Sequence, residues 1–381
     1  MKKVVFFALL ALLPGMMLAE DFAVLLQQIE QHNPTLRAVR DGVEAEKREN
    51  HTGLTLDDPE VEYGHFWGRP TGVGARNDVS VTQSFDYATL FGVKRSMARS
   101  KDEMADIQYE ESRLQVMVEA TRLLVEVVYL NRCLKEHERQ QQEMQHAISL
   151  GQKAFEAGRI TRLDLNNLRL KLTEIETAIT EERLEREQAH IRLRYLNGGE
   201  ELALCDTLYS VPSSYSRGWL SVNRRREQAE QRVAEQEIRM ARSAAVPQLT
   251  AGYVSEMTQE EKFHGFTVGL NVPLWSNRGN VKRAKAQQVA VRSRQQDALL
   301  RLQSEHEAQK LRTTRLREYA ERLQRELPPL SAKAVLHNAF QRGDIAALDY
   351  YVDLTADYDL RHKMLQAERE WQLAEALLAA F

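Results

Sequence analysis

The chain states one short motif twice, and that repetition limits what it can fold into. Residues 154–164 read AFEAGRITRLD and residues 339–349 read AFQRGDIAALD, with Ala, Phe, Gly, Ile, Leu and Asp at matching places. Each copy sets a glycine break between helix-forming stretches, so each reads as the bend of a helical hairpin. The rest of the chain then reads as long arms leading into and out of two bends.

The repeat is wider than the bend. Pro59 matches Pro247 and Lys94-Arg95 matches Lys282-Arg283 at one offset, and Gly158 matches Gly343 at nearly the same offset. The expected organisation is two structural repeats, residues 20–197 and 219–381, joined by a linker at 198–218 and preceded by residues 1–19. A repeat of this length is one large supersecondary unit rather than a solenoid module. Each copy opens with a helix, roughly Phe22–Gly53 and Trp219–Ala245. Proline and a two-residue alternation follow. Val61, Tyr63, His65 and Trp67 share one face of a strand, and Val79, Val81 and Phe85 one face of the next. Leu249, Ala251 and Tyr253, then Phe266, Val268, Leu270 and Val272, repeat the pattern. Strands of this kind are half-buried hairpins or outer-membrane barrel strands.

The arms follow. From Lys94 to Gly158 no proline intervenes and the first glycine is Gly151; the matching arm from Lys282 to Gly343 is broken by Pro328-Pro329. At about 1.5 Å per residue, each approaches roughly 90–100 Å if straight. Leu163, Leu165, Leu168, Leu170, Leu172 and Ile175 carry apolar stripes of the coiled-coil kind into the returning arm. Composition agrees: 28% charged and only 7% aromatic residues suit long solvated helices better than a thick core. A net charge of -3 gives no electrostatic case for nucleic acid.

Lys2 and Lys3 before the apolar run Val4–Leu13, with Pro14-Gly15 and Ala19 after it, read as a secretory signal peptide over residues 1–19. No cysteine follows that run to accept a lipid, and no later segment reaches the length of a membrane helix. Any further meeting with a membrane is therefore through strands. Cys133 and Cys205 lie at different heights along helical arms, so two unpaired cysteines are expected rather than a disulfide.

These strands force an oligomer if they enter a bilayer. Four strands cannot close a barrel, and open edges leave backbone groups unpaired in hydrocarbon. Three chains pooling four strands each give an even-numbered antiparallel barrel of known size.

Signal peptide, duplicated strand hairpins, long arms and the repeated glycine bend together resemble the TolC family of outer membrane efflux proteins. The most specific stretches are Gln83–Arg95 (QSFDYATLFGVKR), Asn271–Ala284 (NVPLWSNRGNVKRA), Leu327–Asp349 and the first bend. The resemblance implies a mainly α fold with a small β part, as long coiled-coil hairpins and four strands per chain. It implies a homotrimer with a 12-stranded barrel in the outer membrane of a Gram-negative bacterium and an α-helical tunnel in the periplasm. The tips then dock on a periplasmic adaptor protein served by an inner-membrane pump, and the chain acts as an exit duct for small molecules or metal cations. Trp275 with Asn277–Gly279 is similar to the branch that exports heavy-metal cations. One departure stands out: where family tips carry an arginine that holds the tunnel closed, this chain has Ile345. Arg159 or Arg162 with Asp344 is the replacement expected. The rival reading is a secreted coiled-coil structural or adhesion protein with small soluble hairpins.

No enzyme motif is present, so no catalytic residue, cofactor or resident metal is expected. Glu143/His146 and Glu187/His190 repeat the ExxH pattern of di-iron bundles, but their heights along the hairpin differ by about 20 Å, too far to share a cluster. Asp164 and Asp349 sit early in the returning helices, where the macrodipole favours an acid. They also suit a carboxylate ring at a pore entrance, with Asp353 one turn beyond Asp349 and Arg162 beside the first. Gly158, Arg159, Ile160, Thr161, Leu163, Gly343, Asp344, Ile345 and Leu348 are either caps and staples of the bends or the docking surface. Tyr63, Trp67, Tyr253 and Trp275 fit the aromatic girdle of a barrel.

Overall fold

The computed structural model describes residues 22–69, 74–202, 204, 207–215, 218–275, 277–327 and 330–381. The expected signal peptide, Cys205 and Pro328-Pro329 lie outside the described residues. In chain order the elements are α1 (Phe22–His32), α2 (Pro34–Asn50), β1 (Glu60–Trp67), β2 (Ala75–Phe85), α3 (Tyr87–Leu90), α4 (Val93–Glu156) and α5 (Arg162–Leu196). The second half gives α6 (Trp219–Ser243), β3 (Gln248–Met257), β4 (Lys262–Asn271), α7 (Asn280–Glu326), α8 (Leu330–Arg342) and α9 (Ala347–Ala379). The opening helix expected over Phe22–Gly53 is two helices. Pro34 has no N–H to continue α1 and sits instead as the first residue of α2, the position where proline costs least. Asn33, buried between them, donates its side-chain amide to the Leu196 carbonyl at 2.9 Å.

The described chain forms two compact units, each drawing on both sequence halves. The sheet unit takes Thr35–Gln115, Tyr215–Ala308 and Ala380–Phe381. Its four strands form one antiparallel sheet in the order β1-β2-β3-β4, leaving β1 and β4 as edges. Register places Val61, Val81, Tyr253 and Phe266 in one row across the sheet, and Phe85, Leu249 and Leu270 in another. Side chains alternate between faces with period two. One face therefore carries Val61, Tyr63, Trp67, Val79, Val81, Phe85, Leu249, Tyr253, Phe266, Val268 and Leu270, with His65, Asn77, Gln83, Ser255 and His264 among them. The other carries Glu60, Glu62, Asp78, Ser80, Thr82, Thr250, Glu256, Thr267 and Asn271, together with Phe66, Val254 and Phe263. Ile107 of α4 with Val222 and Ala229 of α6 makes a buried cluster in this unit. Its helices are stitched by ion pairs such as Lys47–Asp106 at 2.6 Å and Arg226–Glu111 at 3.1 Å. The backbone N–H of Trp219 donates to the Ala380 carbonyl at 2.7 Å, so the end of the described chain closes onto the start of α6.

The hairpin unit takes the chain up to Pro34, Val116–Ser214 and Gln309–Ala379. α4 turns back into α5, and α8 into α9. Their shared core holds Met144, Ala147, Leu168, Ile175, Phe340, Tyr350 and Leu354. Gly151 lies inside α4, where a Cβ would sit 3.0 Å from Leu168 Cδ1; glycine here permits the close approach of α5. Among the described residues no helix is long and apolar enough to cross a membrane.

Candidate functional site

The two bends are built by the same hydrogen bonds. In the first, the N–H of Gly158 donates to Phe155 O at 2.9 Å and that of Arg159 to Ala154 O at 2.8 Å; in the second, Gly343 donates to Phe340 O at 3.1 Å and Asp344 to Ala339 O at 2.9 Å. This is the Schellman closure, which satisfies the last carbonyls of a helix and requires a left-handed residue. Gly158 and Gly343 supply it at φ of 69° and 81°. The repeated Ala-Phe-x-x-Gly is thus the two accepting carbonyls followed by the one residue type that adopts this φ without strain.

Beyond the bends the copies diverge. Thr161 is the N-cap of α5 and forms a capping box with Asp164. Ala346 occupies the matching place before α9 and offers no hydroxyl. Asp349 lies exposed in the first turn of α9, and Asp353 is exposed one turn later. Leu163 and Leu348, at matching positions, are exposed at 69% and 60%. Ile160 and Ile345 turn inward and pack against the shared core. Arg159 is exposed and reaches the Gln341 carbonyl at 3.5 Å. Arg162 opens α5 and is also exposed. Within one chain Asp344 pairs at 3.1 Å with Arg342, two residues before it in the same bend. The structure thus gathers the residues singled out in the sequence at the ends of two hairpins that share one core.

Behind the bends lies a buried polar network that the sequence did not reveal. Lys333 of α8, 7% exposed at its side chain, bridges Glu143 of α4 at 3.0 Å and Asp357 of α9 at 2.6 Å. Arg361 also holds Asp357, at 2.9 Å, and Tyr358 donates to Glu143 at 3.1 Å. Burial pushes the Asp357 carboxyl up, but its bonds to Arg361 and Lys333 outweigh this and hold it below the usual carboxylate range. His337 Nδ1 meets the Tyr350 hydroxyl at 2.7 Å, and burial lowers its affinity for a proton. Lys333 interrupts an otherwise apolar stretch of α8, the one signal that could have marked it.

Among the described residues, neither Glu143/His146 nor Glu187/His190 falls in a group of three metal-ligand types. Glu143 belongs to the network just described. Among the described residues, the ligand types that converge are Cys133, Glu182 and His362. Cys133 forms no disulfide.

No protein-family model matches the chain, and no curated sequence matches it significantly. Solved structures do match. A membrane protein from Pseudomonas aeruginosa superposes with a TM-score of 0.79 at 14% identity, over 95% of this chain and 90% of that one. CusC, described through its folding and transmembrane channel formation, gives 0.78 at 16% identity, over 95% and 91%. The outer membrane protein VceC from Vibrio cholerae gives 0.74 at 15% identity, over 95% and 96%. The long hairpins, the four-stranded sheet and the doubled bend together give this chain the fold of the TolC family of outer membrane channels.

Proposed function

We propose that the chain is one protomer of an outer-membrane exit duct of a tripartite efflux or secretion system, passing small molecules or metal cations outward without catalysis. The observation that carries this is the sheet. One face is rich in exposed apolar side chains, with Val61 at 69%, Trp67 at 81%, Phe266 at 88% and Val268 at 75%, while the opposite face is mainly polar, Phe66 and Phe263 lying on it near the hairpin ends. A soluble sheet buries such a face; a barrel strand turns it to lipid and its polar side to the lumen. The edges β1 and β4 also need partners in hydrocarbon. Pairing β1 of one copy with β4 of the next continues the up-and-down order, and three copies close twelve strands.

In this reading residues 20–197 and 219–381 are two copies of one unit, each contributing two strands and one tip. Gly158, Arg159, Ile160, Thr161, Leu163, Gly343, Asp344, Ile345 and Leu348 form the surface for a periplasmic adaptor that is served by an inner-membrane pump. The exposed Leu163 and Leu348 are the apolar anchors of that surface. Asp349 and Asp353, with Asp164 and Arg162, ring the periplasmic opening. The test is fractionation of cells followed by planar-bilayer recording. Recovery in the outer membrane with stable ion-conducting steps supports the duct. A detergent-independent periplasmic monomer without channel activity contradicts it.

A further inference from the structure

Away from the bends, three helices of the hairpin unit bring together a sulfur, a carboxylate and an imidazole. Cys133 lies on α4, Glu182 on α5 and His362 on α9, and one ligand atom from each is within 4.8 Å of the other two. Cys133 is 1% exposed. His137, one turn beyond Cys133 on α4, places Nδ1 2.9 Å from Glu182 Oε2, and both of these side chains are nearly buried, at 13% and 12%. The His137 and His362 rings stack at 5.7 Å. Gln366 holds the outer side of His362, 2.9 Å from Nε2. A groove of about 470 Å³, lined by Tyr129, His137, Glu182 and His362 among others, leads to the cluster.

We propose that Cys133, Glu182 and His362 bind one thiophilic divalent cation of the zinc or cobalt class, with His137 positioning the Glu182 carboxylate. The charge fits: a thiolate and a carboxylate balance a divalent ion, whereas neighbouring Arg132 and Arg369 are already neutralised by Glu368 and Glu126, each at 2.7 Å. The donor set fits as well, because sulfur with imidazole selects borderline-soft metals over calcium or magnesium. Metal–ligand bonds of about 2.0–2.3 Å put tetrahedral donors roughly 3.3–3.8 Å apart, so the three side chains need close by only about 1 Å. The groove leaves the fourth position to a water. His137 on Glu182 is the outer contact that orients a ligating carboxylate.

Cys133 enters the site as a buried thiol. Binding breaks the S–H bond, forms the sulfur–metal bond and releases that proton to solvent, with no redox change. The consequence is a clasp joining α4, α5 and α9. It does not depend on the duct reading.

The test uses the purified full chain in detergent, stripped by chelator and titrated with Co²⁺, whose thiolate charge-transfer band reports sulfur ligation. The expected result is one Co²⁺ per chain with that band, displaced by Zn²⁺. The band should survive Cys205→Ser and vanish in Cys133→Ser. His362→Gln and Glu182→Gln should weaken binding at least tenfold, and His137→Gln by about 10–100-fold, as loss of an outer partner does. Zn²⁺ should also raise the melting temperature of the unmodified chain and of Cys205→Ser, but not of Cys133→Ser. If Cys133→Ser does not fold, His362→Gln decides. No band in the unmodified chain, a band lost with Cys205, or unchanged affinity in His362→Gln overturns the site.

Discussion

Thr161 and Asp164 cap one another at the first bend. Asp164 donates its N–H to Thr161 Oγ1 at 3.2 Å, while an Asp164 carboxylate oxygen accepts the Thr161 N–H at 2.8 Å. Ala346 stands where the second bend would need that threonine, so two matching motifs leave one carboxylate tied and the other exposed. Thr161→Ala is expected to cost about 1 kcal/mol at the first bend. Ala346→Thr is expected to stabilise the second by a similar or smaller amount, by letting Asp349 complete a box. Amide hydrogen exchange of the two bends reads both effects.

In an exit duct the same difference should separate the two acids in function. In bilayer recordings Asp349→Ala should weaken block by multivalent cations from the periplasmic side. Asp164→Ala should leave block nearly unchanged, because that carboxylate is engaged in its cap. Equal effects from the two variants would refute this division.

Lys333 and Asp357 form the most buried ion pair behind the bends. Lys333→Met removes one of two cations from Asp357 and one partner from Glu143, while Arg361 and Tyr358 stay in place, an expected loss of about 1–3 kcal/mol. Lys333→Met with Asp357→Leu should recover only part of it, because Arg361 then loses its bond to Asp357 and Glu143 its bond to Lys333. Chemical denaturation of the three proteins gives the comparison.

Acid should loosen this region in two steps. Burial holds His337 and His362 below their ordinary value of about 6.5. The unfolded chain therefore takes up these protons first as pH falls. The stability they contribute is complete above about pH 6.5 and is lost as pH drops through their lowered folded values. Asp357 adds a second loss below the carboxylate range, where its lowered folded value is passed. Melting temperature should decline between about pH 7 and 5, and His337→Gln should flatten that decline.

The bends themselves tolerate little change. A Cβ at Gly158 meets nothing within 4 Å, and at Gly343 only Arg159 Nη1 at 3.7 Å, so alanine at either place costs backbone strain alone, about 1–2 kcal/mol. At Gly218 a Cβ would lie 2.7 Å from the Phe381 backbone, and Gly218→Ala should cost more. Thermal unfolding of the three variants ranks them.

Local signals carried much of this fold. The bend motif encodes its own hydrogen bonds, and the alternation of Val61, Tyr63 and Trp67 encodes a strand face, so both were readable within a few residues. Pro34 was missed: the stretch Phe22–Gly53 reads as one helix, although a proline there marks the start of a second. The Asp164 cap was written as Thr-x-x-Asp. What could not be read depends on partners distant in sequence. Lys333 meets Glu143, and Cys133 meets Glu182 and His362, only because separate arms fold side by side; nothing near Cys133 marks it except His137 one turn on.

The central claim is that four strands per chain are pooled into one closed wall, and cross-linking of the sheet edges tests it most directly. In a cysteine-free background, one cysteine scanned along β1 and one along β4 should oxidise between neighbouring copies in the outer membrane. A closed ring gives a denaturing-gel ladder of one, two and three chains that ends at three. A ladder running past three, or no product between chains at any register, would contradict it.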